Sequence, residues 1–418
     1  MRSVLILALL VILSSCGPRY LMPTPNSHTT FGATDYSIVP VELRSSTVEI
    51  MYVTDRRPET LEDGSFGYGH QRSQSLAFGY TTVEIGKDLS WPDLLAASLT
   101  QDRSQDLTID QRDITEIARF VDTPLRVVLK DRIYQFAAED KEAQALTKSK
   151  MNTFVSEKLE ILPQKDVILF VHGYNNSFED ASLTLAELWH FSGRQSLPIV
   201  YSWPAGRGGV FGYAYDRESG EATIYHLKEL LRSLARNDSV RSIKILAHSL
   251  GTDVTLSAIR ELFVELPRDG EEFRRIYRIS DLILAAPDID IGIIQQRVVA
   301  ELILNGIGLI TIYVSENDKA LGLSERLFGS VLRLGRLRAA DLTPDQTERL
   351  EEYHNIHVID SEGKSDLFGH GYFHTDPATS SDVIRVLNDG LPPGAENDRP
   401  LRPIGPSFWR IPKNYLKN

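Results

Sequence analysis

One cysteine in 418 residues, Cys16, leaves the chain without a disulfide and without the paired thiolates of a structural zinc site. No H-E-x-x-H occurs and the histidines are scattered, so metal-assisted hydrolysis has no ligand set in the sequence. Neither a G-x-G-x-x-G after the first strand nor a Walker-type loop is present, so no metal and no cofactor are expected. Positive charge is in deficit. The 45 Lys and Arg face 57 Asp and Glu, a net charge of -12, whereas a nucleic-acid partner requires clustered cations. Four Met and four Trp are too few for a stacking platform. Outside the N-terminus no apolar run reaches the roughly 20 residues that span a bilayer.

The N-terminus itself differs from the rest. Met1 and Arg2 precede an apolar run from Val4 to Leu13, and Leu13-Ser14-Ser15-Cys16-Gly17 follows. A run this short, behind a positive start and before small residues, predicts an export signal over residues 1–16. The pattern resembles a bacterial lipobox, which implies cleavage before Cys16 and lipidation of its sulfur. An uncleaved or plain secretory signal is the alternative. Gly17 is not the aspartate that retains lipoproteins at the inner membrane in enteric-type sorting, so the expected location is the cell envelope, outer membrane, facing the periplasm. Residues 17–44, with Pro18, Pro23, Pro25 and Pro40, read as a tether. Residues 393–418 read as a proline-rich tail that wraps the surface without forming an element.

Between these ends, over residues 45–392, strands and helices alternate. Residues 48–53 and 75–85 read as strands, and an insertion around residues 86–164 has mixed character and could cover a pocket. Six apolar runs follow, at 166–173, 198–203, 242–248, 281–288, 309–316 and 356–360. Continuous apolar strands suit a parallel sheet covered on both faces. The intervening segments carry helical stripes, Ile224, Leu227, Leu231 and Leu234 in one and Val254, Ala258, Ile259 and Leu262 in another. The expected architecture is α/β, a mostly parallel doubly wound sheet with helices on both faces and active residues at the carboxyl ends of strands.

One strand end carries chemistry. "KILAHSLGTD" places Ser249 between an apolar strand and a helix, in the pattern A-H-S-L-G. A nucleophile elbow has the form G-x-S-x-G because strand and helix cross closely there, and Ala247 is the smallest substitute for the first glycine. The plain alternative is a helix N-cap. As a nucleophile, Ser249 would sit at a helix amino terminus with the Leu250 N–H aimed at developing negative charge. Upstream, "VILFVHGYNNS" ends a strand in His172-Gly173-Tyr174, where the Tyr174 N–H would complete an oxyanion hole.

The acid and base should follow in the order Ser, Asp or Glu, His. His370 lies between two glycines beyond the last strand and is preferred as base, with His374 the alternative. For the acid, Asp318 after the penultimate strand is preferred to Asp288 one strand earlier, and Glu316 and Asp290 are weaker candidates. Thr54-Asp55-Arg56 reads as an internal ion pair, and Trp203-Pro204 with its glycines as a loop near the site.

Taken together, "MYVTDRRP", "FVHGYNNSFEDA", "YSWPAGRG", "ILAHSLGTDV", "LAAPDID", "YVSENDKALGLS" and "FGHGYF" resemble the bacterial esterase/lipase-like family of uncharacterised α/β-hydrolases, over most of residues 47–390. The resemblance implies an α/β-hydrolase fold, Ser249 as nucleophile, Asp318 as acid, His370 as base, and oxyanion N–H groups from Tyr174 and Leu250. It supplies no substrate. The expected function is a lipid-anchored serine hydrolase acting on a small-molecule or lipid carboxylic ester through an acyl-enzyme, membrane-bound through the lipid and with no nucleic-acid partner. Two other readings use the same residues: a non-catalytic envelope lipoprotein that binds through a hydrolase scaffold, and an amidase or peptidase.

Overall fold

A computed structural model describes residues 18–29, 34–208, 211–266, 269–327, 329, 331–362 and 369–417. The expected export signal and Cys16 lie outside the described residues. Among the described residues thirteen strands are formed: β1 (Thr47–Thr60), β2 (Phe66–Ile85), β3 (Ile109–Arg119), β4 (Val127–Lys130), β5 (Ile133–Phe136), β6 (Asp166–Val171), β7 (Leu197–Ser202), β8 (Ser242–His248), β9 (Ile279–Ala285), β10 (Leu309–Val314), β11 (Ile356–Asp360), β12 (Arg402–Gly405) and β13 (Phe408–Arg410). Eleven make one sheet in the order β12-β13-β11-β10-β9-β8-β6-β7-β1-β2-β3, while β4 and β5 form a separate hairpin.

From β1 across to β13 the neighbours are parallel, and only β2, β3 and β12 run against their partners. Every residue of β6, β7 and β10 is buried, which is why their sequences are unbroken apolar runs. The flanking helices are α1 (Trp91–Ser98), α2 (Ala138–Glu160), α3 (Phe178–Phe191), α4 (Gly212–Arg236), α5 (Gly251–Val264), α6 (Gly270–Tyr277), α7 (Lys319–Leu327), α8 (Pro344–Glu351) and α9 (Pro377–Asp389). The stripes legible in the sequence are the buried faces: Leu227, Leu231 and Leu234 on α4 and Val254, Ala258, Ile259 and Leu262 on α5. Each large apolar side chain so covered contributes about 1.5–3 kcal/mol. This is an α/β-hydrolase sheet.

Strand order departs from chain order at β6. The chain leaves β6 for β7 on one side and returns to β8 on the other, which opens a crevice between the loops at the carboxyl ends of β6 and β8. His172-Gly173-Tyr174 follows the first of these strands and Ser249 the second.

Three segments differ from expectation. Residues 18–29 are not a loose tether: Leu21 and Met22 are buried, and Arg19 and Met22 N–H both donate to Glu187 on α3, at 3.0 and 2.9 Å. The C-terminal segment forms elements after all. Phe408–Arg410 pairs with β11, Phe408 and Tyr415 are buried, and Arg410 binds Asp360 at 2.7 Å. The insertion extends the sheet at its far edge, where β3 lies four strands from β6, and α2 buries Met151, Val155 and Leu159. Among the described residues no helix is long and apolar enough to cross a membrane.

Candidate active site

The turn after β8 holds Ser249 at φ +53°, a left-handed conformation that costs an L-residue about 1–2 kcal/mol. Its surroundings over-determine that conformation. The Ser249 N–H donates to Ala285 O at 3.0 Å, and its carbonyl accepts from Thr252 N–H at 3.1 Å and Thr252 Oγ1 at 2.6 Å. Helix α5 starts immediately afterwards, so its amino-terminal N–H groups face the serine. Of the two small positions flanking the serine, only the second is sterically closed. A Cβ on Gly251 would lie 2.3 Å from His172 O and 2.7 Å from Val171 O, whereas the Ala247 methyl is accommodated, fully buried, between β6 and β9. Alanine is therefore compatible with this elbow where a second alanine at 251 is not.

Across the crevice, His370 Nδ1 lies 2.7 Å from Asp318 Oδ2. Asp318 is buried, and its other oxygen accepts the Leu321 N–H at 2.9 Å. A carboxylate accepting at Nδ1 fixes the proton there and leaves Nε2 as the basic nitrogen. His370 packs against the elbow through His248, the residue before Ser249. The His248 ring lies 4.8 Å from the His370 ring, and His248 Nε2 donates to His370 O at 3.3 Å. Burial, with the neighbouring His370 second, holds the His248 ring well below its usual range and keeps it neutral.

The other candidates are engaged elsewhere. His374 Nδ1 meets Glu187 at 3.0 Å, on the carboxylate that also holds Arg19 and Met22. Asp288 accepts from Tyr213 Oη at 2.8 Å and Ser324 Oγ at 2.9 Å, and lies 3.4 Å from Arg333 Nε. Asp290 caps the turn Ile291–Ile294, and the Glu316 side chain is exposed beside Arg338.

The loop after β6 presses on Ser249: a Cβ on Gly173 would lie 2.6 Å from Ser249 Cβ. Neither the Tyr174 nor the Leu250 N–H donates to a backbone carbonyl among the described residues. The loop is held from several sides. His172 is fully buried, stacks on Trp203 at 5.0 Å, and has its Nδ1 2.9 Å from Gly173 O. Burial, and secondly the Arg56 charge, push its pKa down to about 3. Asp216 Oδ2 accepts the N–H groups of Asn175 and Gly206, at 2.9 and 3.2 Å, tying this loop to the one after β7.

Asp55 and Arg56 do not form the expected ion pair. Asp55 faces α4, where it accepts from Thr223 Oγ1 at 2.7 Å and meets His226 Nδ1 at 2.8 Å. Arg56 points to the other side of β1, into the loops around the crevice. Asp216 and Glu187 are residues that the sequence left unassigned, and Arg56 one to which it gave the wrong partner. Their partners lie tens to more than a hundred positions away and are mostly backbone atoms, which no spacing rule registers.

The site thus brings a hydroxyl on a strained turn at a helix amino terminus to the same crevice as an imidazole that is oriented by a buried carboxylate and packed against the residue before that hydroxyl. Residues 147–387, more than half of the chain, match the family described as "alpha/beta hydrolase of unknown function (DUF900)". No curated protein matches the chain. With the switch-point sheet, the elbow and this match in agreement, the chain belongs to the DUF900 family of α/β-hydrolases.

Proposed function

We propose that the protein is a serine hydrolase that cleaves carboxylic esters. Ser249 Oγ attacks the ester carbonyl while His370 Nε2 takes its proton, and the N–H groups of Tyr174 and Leu250 stabilise the oxyanion. Asp318 holds the His370 tautomer and stabilises the imidazolium. The proton then passes from His370 to the leaving alkoxide, leaving an acyl-Ser249 ester that water hydrolyses by the same steps. The observation that carries this reading is the 2.7 Å contact between Asp318 and His370 on a loop packed against His248, next to the strained Ser249. We further propose that lipidation at Cys16 anchors the enzyme to the bacterial envelope, at the outer membrane, where its substrate is a small-molecule or lipid ester. The test is a fluorophosphonate probe on protein lacking residues 1–16. Stoichiometric labelling that disappears in Ser249→Ala is expected, and a wild-type protein that never labels would end the proposal.

A further inference from the structure

All five N–H groups of the buried Arg56 guanidinium are used, and all five acceptors are neutral. Nε donates to Ser202 Oγ at 2.9 Å, Nη1 to Gly69 O at 3.0 Å and Ala205 O at 2.8 Å, and Nη2 to Asn176 O at 2.8 Å and His172 Nε2 at 3.3 Å. A buried guanidinium with no carboxylate in its fork is an expensive way to hold loops together. Burial accordingly lowers its pKa to about 10.

One of those five bonds has a directional consequence. Because Arg56 can only donate, His172 Nε2 must accept, so the ring's single proton sits on Nδ1. That proton points at Gly173 O, 2.9 Å away. The Gly173–Tyr174 peptide is trans and planar, so its C=O and the Tyr174 N–H point in opposite directions. Fixing the carbonyl toward His172 therefore fixes the N–H away from the His172 ring, in a loop whose Gly173 packs directly against Ser249. Were the proton on Nε2, it would face the guanidinium, and a bare Nδ1 would repel Gly173 O.

We propose that Arg56 and His172 are positioning residues for the oxyanion hole: Arg56 selects the His172 tautomer, and His172 sets the direction of the Tyr174 N–H through Gly173 O. This rests on Tyr174 being an oxyanion donor, as proposed above. Neither residue touches substrate, and His172 transfers no proton. Trp203, stacked on the ring and donating to His172 O at 2.8 Å, keeps the imidazole in plane for this role.

The test compares two amides at position 172. Asn places its polar atoms where Nδ1 was, and Gln where Nε2 was. His172→Asn is expected to react with the fluorophosphonate within about tenfold of wild type, whereas His172→Gln loses about 100-fold, the scale of one misdirected oxyanion donor. With p-nitrophenyl butyrate the loss in His172→Gln should fall on kcat with KM unchanged, because the donor acts on the oxyanion and not on bound ester. Independently of the variants' folding, 15N NMR of histidine-labelled wild type reads the tautomer that Arg56 is proposed to select, with the His172 resonance assigned by its loss in His172→Asn. A neutral Nδ1–H ring is expected, and an Nε2–H ring overturns the inference. A reactive wild type with an equally reactive His172→Gln also overturns it while leaving the hydrolase reading intact. An unreactive wild type removes the hydrolase reading itself.

Discussion

Asp318 and His370, 52 residues apart in the chain, meet at 2.7 Å through one carboxylate oxygen and Nδ1, while the second oxygen is occupied by the Leu321 N–H. The carboxylate is thus held from behind by the start of α7 and aimed at a single nitrogen. Asp318→Asn keeps the shape but can present an N–H to Nδ1 and favours the wrong tautomer. A loss of kcat of about 10⁴-fold with an unchanged melting temperature is expected, the size measured for the corresponding change in a serine protease. Asp288→Asn, which touches Tyr213 and Ser324 instead, should act on stability and leave kcat within about threefold. If the two variants exchanged phenotypes, Asp288 would be the acid.

The elbow makes a steric prediction that separates its two small positions. Gly251→Ala drives a methyl to 2.3 Å from His172 O, a backbone atom that cannot swing away, so strand and helix must part. Loss of about 2–3 kcal/mol, at the upper end for overpacking, should appear in denaturant melts together with loss of Ser249 reactivity. Ala247→Gly removes a buried methyl from β8 and should cost about 1 kcal/mol through backbone entropy and lost packing. Equal effects at the two sites would contradict the close crossing of α5 over β6.

Much of this was legible in the sequence, and the reason is local. The parallel strands from β6 to β11 are buried on both faces, so composition alone marks them, and the helices that cover them carry stripes of the right period. Ser249 shows itself because a strand must turn sharply into a helix there, which constrains Ala247 and Gly251. His370, the histidine between two glycines, is the one that meets Asp318. The errors have a common cause. Residues 18–29 and 402–410 are short, proline-containing segments that join the body through long-range contacts such as Met22 N–H to Glu187, Leu21 N–H to Leu107 O and Arg410 to Asp360. Asp55 and Arg56, adjacent and opposite in charge, read as a pair, yet their side chains leave β1 in opposite directions. A pattern in one dimension cannot report that.

Buried histidines make the fold sensitive to acid. Burial pushes the rings of His28 and His357 down to about 4 and that of His172 down to about 3. In the unfolded chain these rings take up a proton near pH 6.5. Between that value and about pH 4 or 3 the unfolded chain binds more protons than the folded one, so stability is full above pH 6.5 and falls as pH falls through the window. His357 is the cleanest probe, since among the described residues neither ring nitrogen has a hydrogen-bond partner. His357→Leu is expected to raise stability at pH 5 more than at pH 7.5, by on the order of 1–2 kcal/mol, seen as a larger rise in melting temperature at the lower pH. An identical pH dependence of melting in variant and wild type would remove His357 from the account.

Glu187 joins three parts of the molecule. Its carboxylate is buried on α3, accepts from Arg19 and the Met22 N–H, and holds His374, four residues beyond His370. The Arg19 charge and the His374 bond keep it ionised, holding its pKa below the usual range against the opposing effect of burial. Glu187→Gln leaves the Arg19 cation with the longer pairing to Asp180, at 3.7 Å, as its remaining anion and weakens one of the anchors of the segment at 18–29. Breaking a buried pair from one side costs about 3–5 kcal/mol, and the part-exposed Arg19 places the expected loss at the low end. Hydrogen exchange should localise the loss: faster exchange at Leu21 and Met22, earlier protease cleavage within 18–29, and increased exchange at the backbone around His374. Because Asp318 still orients His370 from the other side, kcat should fall by no more than about tenfold. A variant that released the N-terminal segment and abolished activity together would make that segment part of the catalytic apparatus, not a support for it.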